Sequence, residues 1–253
     1  MTLHVDVSGS GRDLYLLHGW GMHGGVWEPV TAALSQRFRV HALDLPGMGH
    51  SPACTPYTLD RLVQVLAETL PDDALLCGWS LGGLVAMRLA LAQPAKVGRL
   101  ALVGATPRFV NGDGWQNGVA AEVFRQFADQ VEGDYQATMD RFLGLQAFGG
   151  ESSRGTIRSL RERFLLRPAP QREVLHAALQ ILLETDLRGE LPALNMPVLL
   201  LHGERDTLAP AAAAQWMAQQ LPQARLQVIA GCSHAPFLSH PTAFVQAVTD
   251  FMN

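Results

Sequence analysis

Cysteine is scarce in this chain, with three residues among 253. Their wide spacing and odd number fit neither a disulfide framework nor a zinc-binding pattern. We therefore interpret them as small buried hydrophobes, and the apolar run around Cys77 illustrates this. The three are Cys54, Cys77 and Cys232.

Net charge and long apolar runs are also lacking. The formal net charge is −4, from 19 Lys and Arg against 23 Asp and Glu, so no overall field favours nucleic acid or an anionic membrane surface. No stretch approaches the roughly 18 apolar residues of a membrane span, and the first residues lack the basic and apolar regions of a secretory leader. We expect a cytoplasmic, monomeric protein with neither nucleic acid nor membrane as a partner.

Short apolar runs alternate with helix-like stretches along most of the chain, and each run ends in a turn signal. This alternation predicts an α/β fold with a mostly parallel central sheet and helices on both faces. Functional groups on such a sheet lie at the carboxyl ends of its strands. A hydrophobic content of 48% suits one large core, so we expect a single domain over residues 1–253. The predicted strands lie around residues 14–17, 38–43, 74–77, 100–103, 198–201 and 226–229.

The alternation is interrupted between about residues 107 and 186. Apolar residues recur there at helical spacing, and no convincing strand is present. The absence of a low-complexity linker favours a helical cap inserted into the domain over a tethered second domain.

Ser80 lies in the pentapeptide GWSLG at 78–82, between an apolar run and a helix-like stretch. This is the G-x-S-x-G pattern, in which a sharp turn projects a nucleophilic serine above the sheet. A glycine-rich turn with an incidental serine is the structural alternative. The flanking strand and helix favour Ser80 as the nucleophile.

A serine nucleophile needs a base, and the base needs an acid to orient it. Asp206 follows one later predicted strand, and His234 follows the next, which is the order that this arrangement requires. Glu204 is the rival acid and His240 the rival base, but His240 precedes a proline at a predicted helix start. His202 is interpreted as structural.

The tetrahedral intermediate of acyl transfer also needs hydrogen-bond donors for its oxyanion. The backbone N–H of Leu81 follows the nucleophile, and the early turn HGWG at 18–21 can supply that of Trp20. The alternative for Trp20 is a packed aromatic side chain at the sheet edge, and the two roles are compatible.

Together these motifs resemble the α/β-hydrolase superfamily, along nearly the whole chain. HGWG, DLPGMGHS, GWSLGG, HGERDTLAP and CSHAPFLSHP follow one another in the superfamily's order. More narrowly, HGWG, GWSLGGLVA, RFLGLQ and SHAPFLSHP resemble the esterases that hydrolyse the methyl ester of pimeloyl-acyl carrier protein. The resemblance implies a serine carboxylesterase of biotin biosynthesis, with acyl carrier protein as partner and with no metal or organic cofactor.

The narrower resemblance also implies particular binding residues. Gly144 is smaller than the alanine expected at its position, which leaves the acyl pocket looser but still apolar. The substrate contacts implied are Trp20, Ser80, Leu81, Phe142, Leu143, Gly144, Leu145, Gln146 and His234.

Arginine is concentrated late in the predicted cap, where residues 154–172 hold six arginines and one acid, Glu162. Arg154, Arg158 and Arg161 have the spacing of one helical face. A solvated helix face is the ordinary explanation, but acyl carrier proteins are acidic and suit arginine. The resemblance implies carrier docking at Arg141, Arg154 and Arg158, whereas Ala137 stands where the family has a further arginine.

Two other functions remain open from the sequence. The first is a broad short-chain carboxylesterase of the same fold, for which a cationic docking face would have no use. The second is a non-catalytic ligand-binding protein built on this fold, since fold alone does not establish catalysis.

Overall fold

A seven-stranded sheet forms the centre of the protein. The computed structural model describes residues 1–133 and 135–253, and their side chains outside residues 131–136. The strand order is β1-β3-β2-β4-β5-β6-β7, and only β1 runs antiparallel to its neighbour, which confirms the predicted mostly parallel sheet. The strands are β1 Val5–Gly9, β2 Arg12–Leu17, β3 Phe38–Leu43, β4 Ala74–Trp79, β5 Val97–Val103, β6 Val198–Gly203 and β7 Ala224–Ile229.

Burial of the strands explains which of them the sequence revealed. Every residue of β4 and β6 is buried, as expected of central parallel strands that are covered on both faces. Their sequences are accordingly continuous apolar runs. The edge strand β1 is largely exposed and carries no apolar run, so it was not predicted.

Ten α-helices connect and cover the strands within the described residues. Among them, α2 packs on α3, and α1 packs on α10. None of these helices is both long enough and apolar enough to cross a membrane. The helices are α1 Glu28–Leu34, α2 Leu59–Thr69, α3 Leu81–Ala92, α4 Ala121–Gly133, α5 Tyr135–Ala147, α6 Ser153–Phe164, α7 Arg172–Glu184, α8 Ala211–Gln220, α9 Pro236–Ser239 and α10 Pro241–Met252.

Four of these helices, α4 to α7, lie between β5 and β6 and are called the insertion below. Within the insertion α6 packs on α5, α5 on α4, and α4 on α7. The segment agrees with the helical pattern of residues 107–186. Its separation as a cap within one domain of residues 1–253 stays a prediction.

A buried ion pair ties the insertion to the sheet. Arg167, just after α6, places Nη1 2.5 Å from Oδ1 of Asp44, which follows β3 and is fully buried. The same guanidinium also contacts Asp6. The backbone N–H groups of Gly24 and His50 donate to Asp44 as well, at 2.7 and 2.8 Å. Burial alone would raise the pKa of Asp44, but these donors hold it below its ordinary value, so the carboxylate is a charged anchor.

Candidate active site

Ser80 lies in the sharp turn between β4 and α3. Its backbone has φ 54° and ψ −119°, a region that costs a non-glycine residue of order 1–3 kcal/mol. The turn is held by the Ser80 N–H, which donates to Val103 O at 3.0 Å, and by Ser80 O, which accepts from Gly83 N at 2.9 Å. Strain retained by surrounding hydrogen bonds is what projects this side chain above the sheet.

Glycines at 78 and 82 allow the backbone to make this turn. A Cβ at Gly78 would lie 2.5 Å from Gly82 O, and one at Gly82 would lie 2.5 Å from His18 O. Neither space admits a side chain, because the blocking atoms belong to the backbone. The glycine positions of the motif are therefore required by packing around Ser80.

Asp206 and His234 form a buried hydrogen-bonded pair. His234 Nδ1 lies 2.8 Å from Asp206 Oδ2, and both side chains are at most 1% exposed. The other carboxylate oxygen accepts from the backbone N–H groups of Leu208 and Ala209, each at 2.9 Å. An ionised carboxylate only accepts hydrogen bonds, so His234 carries its proton on Nδ1. Its buried Nε2 has no partner among the described residues and is left as an acceptor.

The backbone of His234 is held beside the serine turn by the residue before the serine. The Trp79 indole N–H donates to His234 O at 2.9 Å, and the two rings lie 5.7 Å apart. On the other side, the His234 N–H donates to Gln146 O in α5 at 3.0 Å. Nothing in the residues around Trp79 indicates that its indole reaches residue 234, so this supporting role is seen only in the structure.

The rival residues have other partners. Glu204 Oε2 accepts from the Gly231 N–H at 2.9 Å, and His240 Nδ1 lies 2.9 Å from Ser239 Oγ. His202 is fully buried with Nδ1 3.2 Å from Ala209 O, and burial lowers its pKa. Each of these side chains thus supports a loop rather than joining the Asp206–His234 pair.

The turn at residues 18–21 lies against the serine turn. A Cβ at Gly19 would be 3.2 Å from Ser80 Cβ, so the backbone on which Trp20 follows passes beside the serine. Trp20 is 1% exposed, and its indole N–H donates to Leu175 O in α7 at 2.9 Å. Its ring also meets that of Phe142 edge to face, 4.5 Å between centroids. Trp20 therefore packs between the sheet and the insertion.

His18 holds the same turn in a neutral form. Its Nε2 accepts from the Leu45 N–H at 2.9 Å, and its Nδ1 lies 2.8 Å from Gly19 O. Since Nε2 accepts, the proton is on Nδ1 and is donated to the carbonyl. Burial lowers the pKa of His18 from 6.5 to about 4.

This histidine predicts a loss of stability in acid. Between pH 6.5 and 4 the unfolded chain binds a proton at His18 that the folded chain does not, so the free energy of unfolding falls as pH falls. Over this range His18 lowers the free energy of unfolding by about 3 kcal/mol. We expect the free energy of unfolding, measured in urea, to fall less between pH 7 and pH 4 in His18→Gln than in wild type. The glutamine amide oxygen can still accept from the Leu45 N–H. An equal drop in both proteins would contradict the assignment.

Residues 142–146 of α5, which the resemblance implies as substrate contacts, do not present a single surface. Phe142 and Gln146 are buried on the side of Trp20 and His234, and Gln146 Oε1 has no partner among the described residues. Gly144 and Leu145 instead line a groove between α4 and α5. Successive helical residues point about 100° apart, so a contiguous run must divide between two surfaces.

The arginines of the insertion have different surroundings. Arg158 is exposed and lies 3.8 Å from Glu162, whereas Arg161 Nε donates to Asp140 Oδ1 in α5 at 2.8 Å. Arg154 is exposed, without an ion pair among residues 1–133 and 135–253, and Arg141 donates to Gln130 at 2.7 Å. Arg154, Arg158 and Arg161 are on one helix as predicted, and all three are exposed. Among the described residues, Arg158 has an acidic neighbour on its own helix and Arg161 has one on α5.

Metal binding has no structural support in the part of the chain described. Within it, no group of three or more His, Cys, Asp or Glu side chains is placed to hold an ion. The three cysteines are buried and free.

Comparison with known proteins gives a consistent result. Residues 14–241 match the family model described as the alpha/beta hydrolase fold. The pimeloyl-[acyl-carrier protein] methyl ester esterase of Nitrosomonas europaea is 46% identical over 96% of this chain and 97% of its own length. The protein of the same name from Nitrosospira multiformis is 42% identical over 99% and 98%.

Solved structures show the same architecture. An esterase from Exiguobacterium antarcticum superposes with a TM-score of 0.90 over 98% of this chain and 94% of its own, at 23% identity. An enol-lactonase from Burkholderia xenovorans superposes with a TM-score of 0.85 over 99% and 96%, at 26% identity. At such identities the likeness concerns the fold.

Proposed function

The chain belongs to the alpha/beta hydrolase family, and we propose that it hydrolyses the methyl ester of pimeloyl-acyl carrier protein to the free acid and methanol. It is a carboxylic-ester hydrolase, as are its curated relatives by name. The observation that carries the proposal is the buried His234, whose Nδ1 is committed to Asp206 and whose Nε2 is left to accept a proton. The substrate is inferred from the names of relatives that match nearly the full chain.

The proposed reaction is a two-step acyl transfer. His234 Nε2 accepts the Ser80 hydroxyl proton as Ser80 Oγ attacks the ester carbonyl, and the resulting imidazolium gives that proton to the departing methoxide, releasing methanol. His234 then accepts a proton from water, whose oxygen attacks the acyl-enzyme. The proton passes to Ser80 Oγ as the acid leaves. Ser80, His234 and water thus carry the proton transfers of both steps.

Charge stabilisation is assigned to Asp206 and two backbone amides. Asp206 holds the His234 tautomer and stabilises the imidazolium. Leu81 is the first residue of α3, so its N–H has no acceptor within the helix and can donate to the oxyanion. Trp20 N–H is proposed as the second donor, supported by the approach of its turn to Ser80.

Carrier docking is proposed at Arg141, Arg154 and Arg158. The support is that all three are exposed on α5 and α6, which suits the acidic surface and phosphate of a carrier protein. A cytoplasmic location and a monomeric state stay predictions.

Reversing the charge of the exposed pair is expected to separate carrier recognition from catalysis. We expect Arg154→Glu/Arg158→Glu to lower kcat/KM for the carrier-linked methyl ester at least about tenfold, because like charges then oppose encounter with an acidic partner. Hydrolysis of a short p-nitrophenyl ester should stay unchanged. The decrease in kcat/KM for the carrier-linked ester should become smaller as ionic strength rises, since salt screens exposed charges.

The matched control carries the same change of charge elsewhere. Arg37 and Arg225 are exposed on the body of the protein, and Arg37→Glu/Arg225→Glu should behave as wild type on both esters. Equal activity of the two double variants on the carrier-linked ester would remove the docking assignment. A wild type that cleaves the small ester and ignores the carrier-linked one would indicate a short-chain carboxylesterase instead.

A further inference from the structure

His202 is a fully buried histidine near the end of β6, a strand that otherwise holds only valine, leucine and glycine. Its Nδ1 lies 3.2 Å from Ala209 O, and a carbonyl oxygen only accepts, so Nδ1 carries a proton and donates it. Burial lowers the pKa of His202, which keeps the ring neutral. Its Nε2 is buried without a hydrogen-bond partner among the described residues, and such a group costs free energy. The bond to Ala209 is what a leucine at this position would lack.

The acceptor of this bond lies in the turn that holds Asp206. The N–H groups of Leu208 and Ala209 both donate to Asp206 Oδ1, each at 2.9 Å. Asp206 Oδ2 lies 2.8 Å from His234 Nδ1. Ala209 thus contacts His202 through its carbonyl and Asp206 through its N–H. Hydrogen bonds in series, by way of Ala209 and Asp206, connect the buried ring to His234.

The loop after β6 is fixed in two places. At its start, the Arg205 N–H donates to Cys232 O at 2.8 Å, in the loop that follows β7. Further on, the donors to Asp206 lie at residues 208–209, and the bond from His202 ties that part of the loop to the strand. Loss of this second tie would leave the start of the loop in place and allow the donors to shift. The carboxylate would then lose its fixed orientation.

We propose that His202 is a positioning residue for ester hydrolysis: its Nδ1–H holds Ala209, whose N–H orients the carboxylate of Asp206. His202 acts through Asp206 and does not act on the ester. Orientation matters because Asp206 sets the tautomer of His234 and stabilises the imidazolium, and a displacement of about 1 Å in a catalytic site can cost roughly a hundredfold in rate. The inference rests on the proposed function, since it requires Asp206 to be the acid of the reaction.

Two amide substitutions distinguish the two ring nitrogens of His202. The side-chain nitrogen of asparagine lies where Nδ1 of histidine lies, so His202→Asn keeps a donor to Ala209 O. The side-chain nitrogen of glutamine reaches the position of Nε2, so His202→Gln places its donor away from that carbonyl. We expect His202→Gln to lower kcat on a short p-nitrophenyl ester at least about tenfold with KM within about twofold. His202→Asn should stay within about threefold of wild type.

Combining the change with Asp206→Ala separates positioning from a general structural role. A residue that acts through Asp206 has nothing to orient when the carboxylate is absent, so His202→Gln should not lower kcat further in the Asp206→Ala background. A general loss of structure would lower kcat by the same factor in both backgrounds. The slow variants are compared in single turnovers with enzyme in excess of ester, and rates are expressed per reactive serine.

The matched control is His41→Gln, a half-buried histidine on β3 whose Nε2 lies 2.7 Å from Asp13 Oδ1; it should keep the kcat of wild type. If His202→Gln does not fold, His202→Leu takes its place, since leucine already fills the three preceding positions of β6.

Equal losses in His202→Asn and His202→Gln, or equal factors in the two backgrounds, would overturn the inference. Wild-type kcat in His202→Gln, with Asp206→Ala slow, would overturn it and leave the proposed acid standing. Nearly wild-type kcat in Asp206→Ala would overturn both. Because the ester is small, none of these outcomes depends on the carrier protein.

Discussion

Replacing Ser80 by alanine is expected to lower kcat on any ester by about a millionfold. The change removes only the hydroxyl oxygen and leaves the turn that β4 and α3 make around it. The Ser80 backbone bonds to Val103 and Gly83 are independent of the side chain, so the fold should persist. The measurement is turnover of a short p-nitrophenyl ester by wild type and variant, with circular dichroism of both.

A matched serine elsewhere serves as control for this change. Ser10 is exposed between β1 and β2, and Ser10→Ala should retain full turnover. Near-full activity of Ser80→Ala would mean that another group attacks the ester or that water does so directly. The two-step mechanism would then be wrong.

Replacing Asp206 by asparagine is expected to lower kcat by about four orders of magnitude. The amide oxygen can keep the two backbone hydrogen bonds from Leu208 and Ala209, which turns the amide NH2 towards His234 Nδ1. A donor facing Nδ1 forces the imidazole proton onto Nε2. The base then has no lone pair for the Ser80 proton, and the positive charge formed in the reaction loses its counter-ion.

Glu204 provides the matched comparison, because it is the other carboxylate in the same loop. Glu204→Gln should keep kcat within a fewfold of wild type, since its carboxylate accepts from Gly231 N–H and an amide oxygen can do the same. The assignment of the acid would be reversed if Glu204→Gln were the slower enzyme. Melting curves of both variants separate loss of chemistry from loss of fold.

Much of the sheet could be predicted because a strand that is buried on both faces consists of consecutive apolar residues. Central strands such as β4 and β6 were found in this way, whereas the exposed edge strand β1 was missed. The glycine-flanked Ser80 was also visible, since the turn it needs is encoded in neighbouring residues. Local geometry and local sequence agree at these places.

The contacts between helices of the insertion could not be predicted from the sequence. The spacing of Arg154, Arg158 and Arg161 indicated one helical face, and the helix is present. The acid that engages Arg161, however, is Asp140, on another helix. The same limit applies to the α4 wall of the groove, because its apolar spacing fits an ordinary buried stripe and did not indicate an opening.

The sequence by itself determined the order of the buried strands and the helices, the serine turn and the candidates for base and acid, because each depends on residues close along the chain or on their order. Only the tertiary structure decided that Asp206 meets His234, that Trp79 and α5 bind the backbone of His234, and that a groove opens between α4 and α5. These contacts join residues far apart in sequence. Their distances follow from how the helices and the sheet pack, which no local pattern of residue types records.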